Sequence, residues 1–257
     1  MNFFKWLGQS NSVVLEFDHI NDSELETFEG QIEEVEKYYQ FSKLEEIGLR
    51  VKLGKRQGFA AILFKNPRKS VLLRIVPFLV GKKIPFTIFL RTDCVGLNKL
   101  PHDEELNFYS QKYPEKLTQE VLEQKKKILW NSPDEIETFL RSLRKEMGPL
   151  PLELIDPTFF FSTWGKLIEL PKELVEWGIT LYVSSNQRSV VENEILFMRQ
   201  QLGVLPRVAR VAQFTQDAVW NETSLSQLNI AACVTGSYGA VTRESQWWDL
   251  SVWRFST

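Results

Sequence analysis

Apolar residues in this chain form short continuous runs that alternate with helically spaced sets, and one stretch shows this most clearly. Phe59–Phe64 is an apolar run that predicts a buried strand, and Lys65-Asn66-Pro67 ends it. Ser70–Val80 carries apolar residues at helical spacing, and Pro77 is predicted to end or kink that helix early. Pro85–Leu90 predicts the next strand. A strand, helix and strand of these lengths predict parallel neighbouring strands covered by helices.

Similar patterns predict elements on both sides of this unit. Val13–Phe17 predicts a strand, and Asn21-Asp22-Ser23 supplies N-cap candidates for the helix that follows. Farther along, Thr118–Trp130 and Ser132–Met147 both show helical spacing, so we interpret residues 97–162 as a helical insertion. An insertion after a barrel strand lies over the active face, so this one either covers a ligand or only packs there.

Composition narrows the class of protein. The chain has 257 residues, 43% of them hydrophobic, and a net charge of −2, which predicts one domain over residues 1–257 and no nucleic-acid partner. Its two cysteines, Cys94 and Cys233, favour a reducing compartment. The first residues lack the features of a signal peptide, and no run reaches the roughly 20 apolar residues of a transmembrane segment. We therefore predict a cytoplasmic location and no transmembrane segment.

Several motifs, taken in order, resemble the polysaccharide deacetylase family, the NodB-homology carbohydrate esterases. Val14–Ile20 stands where that family opens with V-L-M-Y-H-x-I, and Ile62–Pro67 stands where it reads L-T-F-D-D-G. Lys82–Leu90 follows the family's G-I-P-A-T-F-F. Gly178–Ser185 corresponds to G-x-E-I-G-S-H-T, with Glu176-Trp177-Gly178 as the turn before that strand. The resemblance implies an α/β fold, a distorted (β/α) barrel of the deacetylase type.

The resemblance also implies a reaction whose residues this chain lacks. Family members remove an N-acetyl group from a sugar with a divalent metal, an aspartate base, a second aspartate and two histidines. Here Lys65 and Asn66 replace the aspartates, and Ser184 and Arg188 fall at the histidine positions. A register shifted by one residue places Ser185 there instead. Because lysine and arginine repel a metal cation, we expect no metal and no other cofactor.

Two hypotheses about function follow. The first is a polysaccharide deacetylase-like protein that is catalytically inactive and binds, or assists the modification of, a surface carbohydrate. Its partners would be a carbohydrate or other sugar-containing ligand and, as an open alternative, a protein of polysaccharide biosynthesis. The predicted ligand-binding residues are Lys65, Asn66, Ser184, Ser185, Arg188 and Gln213.

The second hypothesis is an active hydrolase or deacetylase that acts on a sugar derivative through a rebuilt site. Asp18, His19 and Asp93 all follow predicted strands and should point toward the same face of the barrel. A carboxylate near an imidazole is a reasonable acid–base pair. In the plainer interpretation Asp93 binds loop backbone and His19 lies at a turn. His102-Asp103-Glu104-Glu105 would add ligands only if the insertion folds back; otherwise the run predicts an exposed helix start.

Overall fold

The computed structural model describes residues 11–55, 57–115, 133–181, 188–211, 220–238, 246 and 250–254. Every strand pairing in these ranges is parallel, and helices follow most of the strands. The strands are β1 (Val13–Phe17), β2 (Gln40–Phe41), β3 (Phe59–Phe64), β4 (Phe86–Leu90), β5 (Val175–Leu181), β6 (Val208–Val211), β7 (Ala232–Tyr238) and β8 (Leu250–Arg254).

The α-helices lie between these strands. They are α1 (Leu25–Glu36), α2 (Leu44–Lys52), α3 (Val76–Gly81), α4 (His102–Lys112), α5 (Pro133–Met147), α6 (Trp164–Ile168), α7 (Arg188–Leu202) and α8 (Glu222–Gln227). Short 3-10 turns occupy Asp22–Glu24, Leu152–Leu154 and Pro157–Phe159. No helix within the described ranges is both long enough and apolar enough to span a bilayer.

The sheet closes on itself through β1. This strand pairs with β3 from Val13 opposite Ala60 onward, and with β8 where Leu15 lies opposite Trp253. The other pairings run from β3 through β4, β5, β6 and β7 to β8, while the short β2 pairs with the start of β3. The parallel curled sheet confirms the predicted (β/α) barrel.

The two faces of the barrel strands differ in chemistry because successive side chains alternate. On the outer face, the ring of Phe17 packs edge-on against Phe28 of α1 with centroids 4.9 Å apart. On the inner face, the buried Nε of Arg210 donates to the Glu16 carboxylate at 2.8 Å. Phe89 fills the space above Gly178, where an added Cβ would lie 2.4 Å from the Phe89 ring.

The predicted strand–helix–strand unit is present, but Pro77 does not end its helix. A π-helical turn over Val71–Ile75 precedes α3, and the N–H of Val76 donates to the carbonyl of Val71. Pro77 is the second residue of α3 and directly follows the π-helical turn, where the regular hydrogen bonding from residue i to i−4 is already interrupted. The helix therefore continues to Gly81, and the wider turn before it accommodates the proline.

The start of β5 corrects a further prediction. Glu176-Trp177-Gly178 is not a turn before the strand but part of it, and all residues of Val175–Leu181 are buried. The Glu176 carboxylate accepts hydrogen bonds from the N–H groups of Leu44 and Glu45 at 3.0 Å each, and from the Thr87 hydroxyl at 2.5 Å. These hydrogen bonds offset the free-energy cost of burying the Glu176 carboxylate in a strand.

The insertion contains two of the described helices. The predicted helix ending at Met147 is confirmed as α5, whereas the predicted helix over 118–130 lies outside the described residues. A small core between α4 and α5 consists of Leu106, Tyr109, Leu140 and Leu143. The insertion returns to the barrel at residues 160–162, where the Ser162 N–H donates to the Pro67 carbonyl at 2.8 Å. This return places α4 over the carboxyl ends of the strands.

Candidate functional site

The loop after β3 carries a buried arginine that connects three segments of the chain. Arg68 is 1% exposed. Its Nε donates to Asp18 Oδ1 at 2.9 Å, Nη1 to the Phe159 carbonyl at 2.8 Å and Nη2 to Glu104 Oε1 at 2.6 Å. The guanidinium also lies 3.8 Å from the centroid of the Phe159 ring. Arg68 therefore joins the end of β1, the start of α4 and the return of the insertion.

Asp18 is the acceptor shared by this cluster. Besides Arg68, its carboxylate accepts from Asn66 Nδ2 at 3.1 Å, and Lys65 Nζ lies 3.6 Å from Oδ2. Burial opposes ionisation, but the positive charges of Arg68 and Lys65 and the hydrogen bonds hold the pKa of Asp18 well below its usual range. Asp18 and Lys65 remain about one-third exposed, whereas Asn66 is buried. The predicted residues Lys65 and Asn66 therefore meet at Asp18.

His19 points away from the guanidinium and toward the start of the π-helical turn. Its Nδ1 lies 2.9 Å from the hydroxyl of the buried Ser70, and its ring meets Phe159 edge-on at 5.1 Å. Burial and the nearby charge of Arg68 lower the pKa of His19. The ring is therefore neutral at pH 7.

A second ion cluster surrounds the end of β4. Arg91 Nη1 donates to Asp103 Oδ1 at 2.9 Å, and Nη2 lies 3.4 Å from Asp93 Oδ2. Lys99 Nζ lies 3.7 Å from the same oxygen of Asp93. Burial disfavours the ionised carboxylate, but Arg91 and Lys99 outweigh it and lower the pKa of Asp93. Asp93 and Asp18 thus belong to different clusters, each with its own cations.

Helix α4 bridges the two clusters, which corrects the prediction of an exposed helix start. Asp103 pairs with Arg91, and the next residue, Glu104, pairs with Arg68. Glu105 is 3% exposed and accepts two hydrogen bonds of 2.7 Å from Arg144 of α5. The insertion therefore folds back, and its carboxylates meet arginines rather than water. Arg68 and Arg91 each closely follow a predicted strand, but their pairing with α4 was not predicted, and Arg144 lies in the predicted helix that ends at Met147.

Two further carboxyl groups near the strand ends hold their protons unusually tightly. Burial raises the pKa of Glu104 to about 7, and one of its oxygens, Oε2, is buried without a partner among the described residues. Burial likewise raises the pKa of Glu194 in α7 to about 7. Glu194 accepts from the Thr92 hydroxyl at 3.0 Å. Glu104 was named only as part of the run His102-Asp103-Glu104-Glu105, and Glu194 was not predicted, because it lies in a helix with an ordinary polar pattern.

The remaining predicted ligand-binding residues are placed only in part. Arg188 begins α7 and donates from Nε to Glu192 at 2.7 Å and from Nη1 to Gln227. Ser184, Ser185 and Gln213 lie outside the described residues.

The residues at this end of the barrel do not fit the divalent metal that the family resemblance implies. No group of three or more His, Cys, Asp or Glu side chains within the described ranges is arranged to hold an ion. The Asp18 carboxylate, which contacts Asn66, already faces the positive charges of Arg68 and Lys65. A divalent cation there would face both positive charges, so these residues form a salt-bridge cluster rather than a metal centre.

Comparison with solved structures identifies the fold. IcaB from Ammonifex degensii aligns with a TM-score of 0.59 and 13% identity over 96% of this chain and 92% of its own. The Streptococcus pyogenes deacetylase PplD, solved with acetate, aligns with a TM-score of 0.59 and 11% identity over 95% of this chain and 92% of its own. The deacetylase domain of BpsB from Bordetella bronchiseptica aligns with a TM-score of 0.59 and 12% identity over 95% of each chain.

These structures define the class of fold to which the chain is similar, the polysaccharide deacetylase barrel. The identities are low, so the likeness is one of fold. No family model and no curated protein matches the sequence. The predicted resemblance to this fold is confirmed.

Proposed function

We propose that this protein is a catalytically inactive member of the deacetylase-like class that binds a carbohydrate. The observation that carries the proposal is the pairing of Asp18 with Arg68 and Lys65 at the carboxyl ends of the strands. In barrels of this kind, that end holds the ligand. The positive charges of Arg68 and Lys65 beside Asp18 repel a metal ion. The same side chains are suited to hydrogen bonding with a polar ligand.

The exposed atoms of the cluster suit sugar hydroxyls. Asp18 Oδ1 is taken by Arg68 and Asn66, whereas Oδ2 faces Lys65 at 3.6 Å. An ammonium donor beside a carboxylate acceptor matches two neighbouring hydroxyls, one accepting and one donating. We also propose, from the sequence, that Ser184, Ser185, Arg188 and Gln213 contact the carbohydrate.

Binding and metal content together test this proposal. We expect purified protein to contain no stoichiometric metal and to bind oligomers of N-acetylglucosamine without releasing acetate. Lys65→Ala should weaken that binding, whereas the control Lys166→Ala, which removes an exposed lysine paired with Glu169, should not. Stoichiometric zinc that supports acetate release, or identical binding by both variants, would refute the proposal.

A hydrolase built on Asp18, His19 and Asp93 is the second candidate. It is favoured by the neutral, half-buried imidazole of His19 next to the ionised Asp18. The separate pairing of Asp93 with Arg91 and Lys99 weighs against it. If this candidate is right, release of acetate from N-acetylated or O-acetylated sugars should be measurable. Asp18→Asn alone and Asp93→Asn alone should each abolish it. The cytoplasmic location and a protein partner in polysaccharide biosynthesis stay predictions.

A further inference from the structure

A cavity of about 190 Å³ opens at the other end of the barrel, where β5 begins. Its walls are mainly apolar and come from the loop and helix before β5 and from the end of α7 and the loop after it. The apolar residues that line it include Leu167, Val175, Trp177, Leu202, Val204 and Leu205. We call it the floor cavity. It lies away from the Asp18 cluster, which is at the carboxyl ends of the strands.

The carboxylates that line the floor cavity have partners within the protein, whereas the two lysines that line it do not form ion pairs among the described residues. Both carboxylates that line it have partners, since Glu176 accepts from two backbone N–H groups and Thr87, and Glu45 pairs with Arg207 at 3.2 Å. Two lysines also line it, Lys43 at the start of α2 and Lys172 before β5. In the described part of the chain, no ion pair or side-chain hydrogen bond involves either lysine ammonium. The cavity therefore presents two unmatched positive charges beside an apolar wall.

The apolar surface continues outward from the floor cavity. Ile168, Val204 and Leu205 all line it, and they are 48%, 36% and 42% exposed. Large apolar side chains grouped at the opening of a cavity favour contact with an apolar ligand. The volume suits a single ring or a short alkyl chain, because a cavity of about 150 Å³ holds benzene.

We infer that the floor cavity binds a small amphipathic anion, with its apolar part against Trp177 and Leu202 and its acidic group beside Lys43 and Lys172. Burial of the apolar part would supply most of the affinity, and the two lysines would select for negative charge. This site is independent of the proposed carbohydrate site. Its chemistry predicts a carboxylate or sulfonate ligand rather than a sugar.

Titration with octanoate, octanol and octylammonium, followed by calorimetry and ligand-observed NMR, tests the inference. We expect the protein to bind octanoate more tightly than octanol, and octanol more tightly than octylammonium. The double variant Lys43→Ala/Lys172→Ala should weaken octanoate binding about fivefold, since partly exposed charge pairs contribute modestly. Lys145→Ala, which removes an exposed lysine from α5, is the matched control and should leave binding unchanged.

Two variants of the exposed rim address the apolar part. Val204→Trp should fill the opening and Leu205→Glu should repel the anion, and neither replaces a buried residue, so the protein should still fold. Both should reduce octanoate binding at least about tenfold. The inference is overturned if octanoate fails to bind, if octylammonium binds equally well, or if these variants bind like the wild type. Loss of N-acetylglucosamine binding in Lys65→Ala would leave this result unaffected.

Discussion

The two ends of the barrel handle charge in opposite ways. At the carboxyl ends of the strands, which we call the mouth, Arg68 and Arg91 are buried and paired with carboxylates from several segments. At the floor cavity, Lys43 and Lys172 lie beside apolar walls. Most charges at the mouth are paired within the protein, whereas no ion pair among the described residues involves the two lysines at the floor. The same barrel therefore arranges its charged residues by a different rule at each end.

The difference has a physical cause. A buried guanidinium must be paired and hydrogen-bonded on all sides, because the cost of removing it from water is several kcal/mol. At the mouth the insertion meets this need by placing Asp103 and Glu104 on the arginines. The lysines at the floor are at least partly exposed, so water solvates their ammonium groups and no internal partner is needed.

The largest effect should come from the mouth. Arg68→Leu would leave Asp18 and Glu104 without their shared cation and would remove the contact with the Phe159 ring. We expect the free energy of unfolding to fall by about 3–5 kcal/mol, measured by urea denaturation. Arg141→Leu on α5, 74% exposed, is the matched control and should change stability by less than about 0.5 kcal/mol. Equal effects would mean that the mouth cluster is not a structural centre.

The next largest effect should come from Glu176, a buried carboxylate near the floor. Glu176→Ala leaves the N–H groups of Leu44 and Glu45 and the Thr87 hydroxyl without their acceptor. We expect a loss of about 2–4 kcal/mol in thermal or urea unfolding. Glu176→Gln keeps an acceptor oxygen and should recover much of this loss, while Glu173→Ala, at an exposed position, should be neutral. A loss in Glu176→Gln as large as in Glu176→Ala would show that charge, and not hydrogen bonding, is required.

The barrel interior between the two ends should respond to added volume. A Cβ on Gly178 would lie 2.4 Å from the Phe89 ring, so Gly178→Ala should cost about 1–3 kcal/mol of unfolding free energy. Replacing Phe89 with leucine in the same chain should restore part of it, because the smaller side chain makes room. A double variant that is less stable than the sum of the two single changes would contradict this packing.

A separate effect should be a dependence of stability on pH that originates at the mouth. Burial raises the pKa of Glu104 and of Glu194 from 4.5 to about 7. Between about pH 4.5 and 7 the folded protein keeps protons that the unfolded chain has lost, so the free energy of unfolding should fall as the pH rises. Glu104→Gln and Glu194→Gln should each flatten this slope. Urea titrations at several pH values would measure it.

Asp18 should act in the opposite direction at lower pH. Its pKa is lowered from 3.8, so its contribution to stability is present above that value and is lost as the pH falls further. Asp18→Asn should therefore reduce the loss of stability in acid. It should also reduce the slope between pH 4.5 and 7, because the charge of Asp18 helps to raise the pKa of Glu104. A single slope common to all of these variants would argue against separate titration of the groups at the mouth.

Local patterns predicted much of the barrel. The apolar run of β3, the strand Val13–Phe17 and the Asn21 cap before α1 are present as expected, since each depends on neighbouring residues. The start of β5 was misjudged because Glu176-Trp177-Gly178 was matched to a family motif that forms a turn before a strand. In the folded protein, hydrogen-bond donors from α2 and β4 pair with the buried Glu176 carboxylate. The Phe89 ring fills the space beside Gly178, so both residues fit a barrel strand.

The candidate site was predicted less completely than the fold. Lys65 and Asn66 were expected at the strand end, and the structure brings both to Asp18. The roles of Arg68 and Glu104 were missed, because their contact joins residues 36 positions apart. The spacing of apolar and polar residues within one segment cannot predict an ion pair between two distant segments.

The amino-acid sequence alone determined much of the order of strands and helices, because that order depends on local pattern. Tertiary structure alone decided which charges face one another: Arg68 with Asp18 and Glu104, and Arg91 with Asp103. The reason is the cost of burying charge. That cost depends on which distant partner closes the pair, and only the folded insertion brings the partner into reach.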